Sequence, residues 1–191
     1  MHAGFETGPA LVSRLEMGVH IGTHVDAPLH VLPGAAAVSD LPVERFFGSA
    51  VAVGAPKEPG LDIEPADFKE VDLRKGDIVL VRTGWEERSG TAAFFQGEWP
   101  GFSTAAVERL LAVGVKAIGI DSPSADSPRA IATGFGSHKR LLAAGIPLFE
   151  ALVNLRRLVG RRFLFIGLPL PFQGTEASPV RAVAVLNRDL A

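Results

Sequence analysis

His20-Ile21-Gly22-Thr23-His24-Val25-Asp26-Ala27-Pro28-Leu29-His30 places three of the chain's five histidines and an aspartate within eleven residues. Neutral imidazole and carboxylate are the ligands that suit Zn²⁺, Mn²⁺ or Fe²⁺. The polar positions 20, 24, 26 and 30 are all even, so an extended chain puts them on one face. A straight strand still fails as a chelate. Four residues of strand span about 13 Å at roughly 3.3 Å each, whereas each metal–ligand bond is about 2.1 Å. A helix would bring His20 and His24 together, but Gly22, Thr23 and Pro28 oppose one. The spacing therefore predicts a strand that bends at Gly22-Thr23, where glycine permits the necessary dihedrals, with Pro28 fixing the segment that follows. A lone histidine is usually a satisfied polar residue. Three imidazoles and a carboxylate buried together without a cation would incur the desolvation cost several times over.

Elsewhere the pattern is that of an α/β protein. Ser49 to Gly54 reads as a short buried strand. Asp77 to Thr83 reads as a second, β-branched and opened by a Lys75-Gly76 turn. Ser103 caps a predicted helix over Thr104 to Val113 that stops at Gly114. Val115 to Asp121 is a continuous apolar run, as expected of a strand buried on both faces. Helices are predicted over His138 to Ala144, ended by Gly145, and over Phe149 to Leu158, where Leu152, Leu155 and Leu158 recur about every three residues. Leu11 to Ile21, Arg162 to Leu168 and Val180 to Leu186 read as extended. Gly84 to Gly101, with two Trp, reads as a surface loop, with a lid or a partner surface as the alternatives. Mixed strands and helices without an evident linker predict one α/β domain with a mixed sheet over residues 1–191.

Composition narrows the function. The 191 residues include no cysteine, which excludes thiolate nucleophiles, disulfides, iron–sulfur clusters and Cys-ligated zinc. They include no tyrosine, so no phenol acts as acid or base. A net charge of −2 offers no basic face for nucleic acid. Met1 to Phe5 lacks the cationic end and apolar run of a signal peptide, and Phe163 to Leu170 is too short to cross a bilayer, so a cytoplasmic location is expected. His2 reads as an inert terminal residue.

The string His20-x-Gly22-Thr23-His24-x-Asp26-x-Pro28-x-His30 resembles the signature of the cyclase-like family of metal-dependent hydrolases, to which bacterial kynurenine formamidases and isatin hydrolases belong. The resemblance continues through Gly119-Ile120-Asp121-Ser122-Pro123-Ser124-Ala125-Asp126, Ser137 to Leu142, Gly145 to Leu155, Leu168-Pro169-Leu170 and Ser178 to Ala182. It covers most of the chain, from about Leu15 to Val185. It implies a swivelling β/β/α fold and a homo-oligomer, dimer or tetramer. It implies Zn²⁺ or Mn²⁺, one or two per subunit. His20, His24 and Asp26 would bind a first ion, and Asp26 would bridge to a second held by His138 and Glu150. His30 resembles the family's catalytic acid/base. Taken alone, Glu150 reads as a solvated carboxylate at a helix start. Asp121 and Asp126 read either as residues that orient histidines or as turn residues after a strand.

Two features depart from the family. Members carry a further N-terminal strand and a Pro-Gly-Asp-like stretch before this point, whereas the chain opens at Phe5-Glu6-Thr7-Gly8-Pro9. Either the start is misassigned or this member lacks that strand; an absent strand would leave a sheet edge exposed and the pocket partly open. Ala177 stands where a glycine is common.

The resemblance implies hydrolysis of an amide C–N bond, in a small aryl formamide or cyclic amide, by hydroxide generated on the ion, with His30 protonating the leaving nitrogen. A polyketide-type cyclase or dehydratase and a non-catalytic metal-binding protein are the alternatives. Phe46, Phe47, Trp85, Phe94, Phe95, Trp99 and Phe102 are read mostly as core, and none is assigned a substrate contact.

Overall fold

The computed structural model describes residues 2–4 and 12–186. A small antiparallel pair joins β1 (His2–Gly4) to β2 (Val12–Arg14). The main sheet contains β3 (His24–Asp26), β4 (Phe47–Gly54), β5 (Ile78–Arg82), β6 (Ala117–Ile120), β7 (Leu148–Glu150), β8 (Arg162–Ile166), β9 (Ala177–Pro179) and β10 (Val183–Val185). Its order is β10-β8-β4-β5-β6-β7-β3-β9. The four central strands β4 to β7 run parallel, and the flanking pairings are antiparallel, so the sheet is mixed.

Apolar residues alternate across the central strands because both faces are covered. Val79 and Val81 of β5 and Ile118 and Ile120 of β6 pack with Val107 and Leu110 of α1 (Thr104–Val113). Leu141 and Leu142 of a later helix, Gly136–Ala143, join the same cluster. The intervening positions Ile78 and Leu80 face a second cluster with Ala50, Phe149, Phe163 and Phe165. At α1 the expected start and stop hold. Ser103 Oγ accepts from the Ala106 amide at 3.1 Å, and Gly114 closes the helix in the left-handed region. Between β6 and β7 lie a short helix, α2 (Pro128–Ala132), and α3, the Gly136–Ala143 helix.

One element differs in kind. The helix expected over Phe149 to Leu158 is a strand, β7, followed by a turn and a single 3₁₀ turn at Leu155–Arg157. Ala151 and Asn154 are left-handed (φ 52° and 66°), which no α-helix accommodates. The three-residue spacing of Leu152, Leu155 and Leu158 reflects a turn laid over the second core cluster. Of the extended segment expected from Leu11 to Ile21, only Val12–Arg14 is strand, and Leu11 and the Phe5 to Pro9 opening lie outside the described residues. The backbone of His2 pairs with that of Arg14. Among the described residues, no helix is long and apolar enough to cross a membrane.

Candidate metal centre

The bend expected at Gly22 is present. Gly22 adopts φ 63° where the chain turns into β3. Val25 then enters the second core cluster, so His24 and Asp26, one residue to either side, face the opposite side of the sheet. In the neighbouring strand β7, Phe149 points to that same cluster and Leu148 to the other. Glu150 therefore shares the face of His24, its direct partner in the register. Pro28–His30 is a 3₁₀ turn that carries His30 back over the strand it leaves. α3 supplies His138.

All six expected site residues converge. Asp26, fully buried, sits at the centre. Its Oδ1 lies 3.0 Å from His20 Nδ1 and 3.3 Å from His24 Nε2, and its Oδ2 lies 3.4 Å from His138 Nε2. Glu150 Oε1 is 3.2 Å from His138 Nε2, and its Oε2 is 3.6 Å from His24 Nε2. The His30 ring centroid is 4.3 Å from that of His20 and 5.5 Å from that of His138. Two compact donor groups share Asp26: His20 with His30, and His24 with Glu150. The grouping differs from that implied by the resemblance, which placed His20 and His24 together and left His30 outside.

Hydrogen bonds outside the cluster decide which ring nitrogen faces in. His24 Nδ1 donates to the Gly22 carbonyl at 2.9 Å, and His138 Nδ1 donates to Asp126 Oδ2 at 2.6 Å. Each neutral ring then presents an Nε2 lone pair to the centre. Asp126 also accepts from the Ser137 and His138 amides at 2.9 and 3.0 Å, capping the start of α3. Asp121 reaches no histidine. It accepts from the Thr83 amide and hydroxyl and the Gly84 amide, and so anchors the turn after β5. Of the two aspartates, Asp126 alone orients a histidine. Glu150 is held in turn by the Ala125 amide at 2.6 Å.

The electrostatics are those of a site built for a cation. Burial favours the neutral ring of His24, but Asp26, Glu150 and the Gly22 carbonyl outweigh it and lift its pKa to about 9. His138 is also raised well above the usual histidine value, because Glu150, Asp126 and Asp26 overcome its burial. Burial opposes the Asp26 carboxylate, yet His138, His20 and His24 hold its pKa well below the usual range. His30 goes the other way. Burial lowers its pKa, and the neighbouring His20 and His138 add to that.

A cation fits these residues. Both Asp26 oxygens, His20 Nε2 and His24 Nε2 are buried without a hydrogen-bond partner. Buried polar atoms are rarely left so; His24 Nε2 lies 3.3 Å from Asp26 Oδ1, and His20 reaches the same oxygen through Nδ1, so a cation would satisfy this group. Every donor is nitrogen or carboxylate oxygen, as suits a divalent ion.

The centre opens into a cavity of about 270 Å³ lined by His20, His24, His30, His138 and Glu150 together with Phe95, Trp99, Ile131 and Phe135. The loop from Gly84 to Gly101 is thus more than a surface connection. Its Trp85 and Phe94 are buried, as is Phe102 just beyond it, while Phe95 and Trp99 line the cavity. Phe135, Ile131 and Glu176 escaped the sequence reading. Glu176 Oε1 lies 3.5 Å from His20 Nε2. No spacing rule connects it to the histidine loop, since β9 meets β3 only through sheet pairing.

A buried nitrogen and oxygen donor set opening into a small cavity defines the class, an enzyme centred on a divalent cation. The chain belongs to the cyclase family: the family model described as "Putative cyclase" matches residues 2–127, and kynurenine formamidase from Bordetella avium is 35% identical over 179 residues, 92% of this chain and 80% of that protein. Among solved structures, isatin hydrolase A from Ralstonia solanacearum superposes with a TM-score of 0.83 at 26% identity, covering 92% of this chain and 75% of the other. A structure described as a "predicted metal-dependent hydrolase from Bacillus stearothermophilus" superposes with a TM-score of 0.77 at 28% identity, covering 94% and 83%. The protein is a hydrolase.

Proposed function

We propose that the protein cleaves the amide C–N bond of a small aryl formamide or cyclic amide. In this reading His20, His24, Asp26, His138 and Glu150 would hold one or two Zn²⁺ or Mn²⁺ ions. The observation that carries it is the set of buried, unpartnered atoms on His20, His24 and Asp26. A bound divalent ion supplies Lewis acidity, which makes water nucleophilic near neutral pH and polarises a carbonyl.

His30 moves the protons. Burial keeps its ring neutral near pH 7, so it can take a proton from the attacking water and pass it to the leaving nitrogen. Its ring lies against His20 and His138 and is half-buried, whereas His24 and His138 are buried. The cavity is just below the usual span of ligand sites, about 300–1,000 Å³, which suits a substrate of one or two rings. Its described lining contains no lysine or arginine, which favours an uncharged reacting end. A cytoplasmic homo-oligomer, dimer or tetramer, completes the reading.

Elemental analysis of the purified protein beside His24→Ala tests the metal, and hydrolysis of formanilide and isatin by the loaded protein tests the chemistry. One or two equivalents of Zn or Mn, lost in the variant, together with turnover, are expected. A metal-loaded protein that hydrolyses neither compound would overturn the proposed activity.

A further inference from the structure

We propose that Phe135 sets a preference of this cavity for planar aryl groups over aliphatic ones of the same size. The inference rests on the cavity above being the substrate pocket.

The backbone first singles Phe135 out. It sits in the left-handed region, φ 58° and ψ 56°, between Gly134 and Gly136. A bulky aromatic residue is a rare occupant of that region, where glycine would sit without strain. Such strain persists only where the surroundings over-determine it. Local structure does not call for a phenylalanine here. The residue stands at the N-cap of α3 yet offers no side-chain cap. The capping is done from elsewhere, by Asp126 on the Ser137 and His138 amides. Core packing does not call for it either, since the residue is only half-buried.

The side chain supplies what the backbone does not explain. Its ring stands edge-to-face with His138, centroids 5.4 Å apart at 89°, and with His30, 6.2 Å apart at 81°. It thus rises nearly perpendicular to both imidazoles and lines the cavity beside Ile131. Other aromatic lining comes from Trp99, whose indole Nε1 donates to the Asp126 carbonyl at 3.0 Å, and from Phe95, braced edge-to-face on the buried Phe94. A ligand whose carbonyl reaches the histidines must place its remaining atoms among these rings. A flat ring can pair with the Phe135 ring face or edge; a puckered aliphatic ring cannot.

Two ketones with no C–N bond to cleave make the test independent of turnover: acetophenone and cyclohexyl methyl ketone, titrated calorimetrically into the purified protein, as isolated and after incubation with Zn²⁺. The wild type should bind acetophenone about three- to tenfold more tightly, the change expected of one aromatic pair. Phe135→Leu keeps an apolar side chain of similar reach on the same strained backbone and should bring the ratio close to one, with Zn²⁺ affinity unchanged. Phe135→Gly removes the strain as well as the ring and should also lose the preference, which guards against a Leu variant that folds badly. A ratio near one in the wild type, or a preference retained in both variants, overturns the proposal. Absent turnover of both formanilide and isatin with the preference intact would overturn the proposed activity and leave this role of Phe135 standing.

Discussion

At the scale of single residues, Asp26 and the histidines around it divide between holding a cation and moving a proton. His30 is the outlier: its pKa is lowered where those of His24 and His138 are raised. His30→Ala should therefore keep its metal but lose turnover by about 10²- to 10⁴-fold, the usual contribution of a general acid–base group. Metal content and kcat measured on one preparation separate this from a ligand role, which would lose both. Asp126 acts one step removed. It orients His138 through Nδ1 and caps α3 with the same carboxylate. Asp126→Asn should lower Zn²⁺ affinity by about 10- to 100-fold, read by competition with a chromogenic chelator. An unchanged affinity would mean that packing alone holds the His138 ring.

At the scale of elements, the central strands carry the site by carrying the core. Gly119 in β6 is packed tightly between apolar side chains. A Cβ there would lie 2.6 Å from Leu80 Cδ2, 2.6 Å from Leu152 Cδ1 and 3.4 Å from Phe149 Cβ. These neighbours belong to β5, to β7 and to the turn that follows Glu150. Gly119→Ala should destabilise the fold by about 1–3 kcal/mol, as overpacking usually does, visible as a lowered denaturant midpoint. Because the displaced residues flank Glu150, the same variant should also bind Zn²⁺ more weakly. The turn after β5 is held differently, by one buried carboxylate. Asp121 has a pKa raised by burial, against the hydrogen bonds from Thr83, Gly84 and Glu86 that favour its charge.

At the scale of the molecule, cation binding, proton release and stability are linked. The pKa of His24 rises from 6.5 to about 9 on folding without metal. Its protonated form therefore stabilises the metal-free fold fully below pH 6.5, and that contribution disappears as the pH climbs through 9. A divalent ion replaces those protons and takes over the neutralisation of Asp26 and Glu150. The gap in Tm between Zn²⁺-loaded and chelator-treated protein should widen from pH 6.5 to pH 9. Zn²⁺ binding near pH 7 should release protons, seen as a dependence of the calorimetric heat on the buffer's ionisation enthalpy. A Tm gap constant across that range would place the protons elsewhere.

Local chemistry was written in the chain itself. The β-branched run through Ile78 to Val81, the apolar run ending at Ile120 and the Ser103–Gly114 bracket around α1 follow from local composition and capping, which act over a few residues. The impossibility of chelation by a straight strand or a helix demanded the bend at Gly22, and the bend is there. What lay beyond reach were the effects of partners far away in sequence. Glu150 stands on a strand because β3 pairs with it, although the leucine spacing that follows it resembles a helix. Asp121 and Asp126 look equivalent in their block, and only the approach of α3 gives one of them a histidine. Phe135 and Glu176 are ordinary residues until α3 and β9 pack beside His30 and His20. The sequence by itself determined which donors exist and most of the elements, though not the strand that carries Glu150. The tertiary structure alone decided how they meet, because sheet pairing and helix docking are non-local contacts that no local spacing encodes.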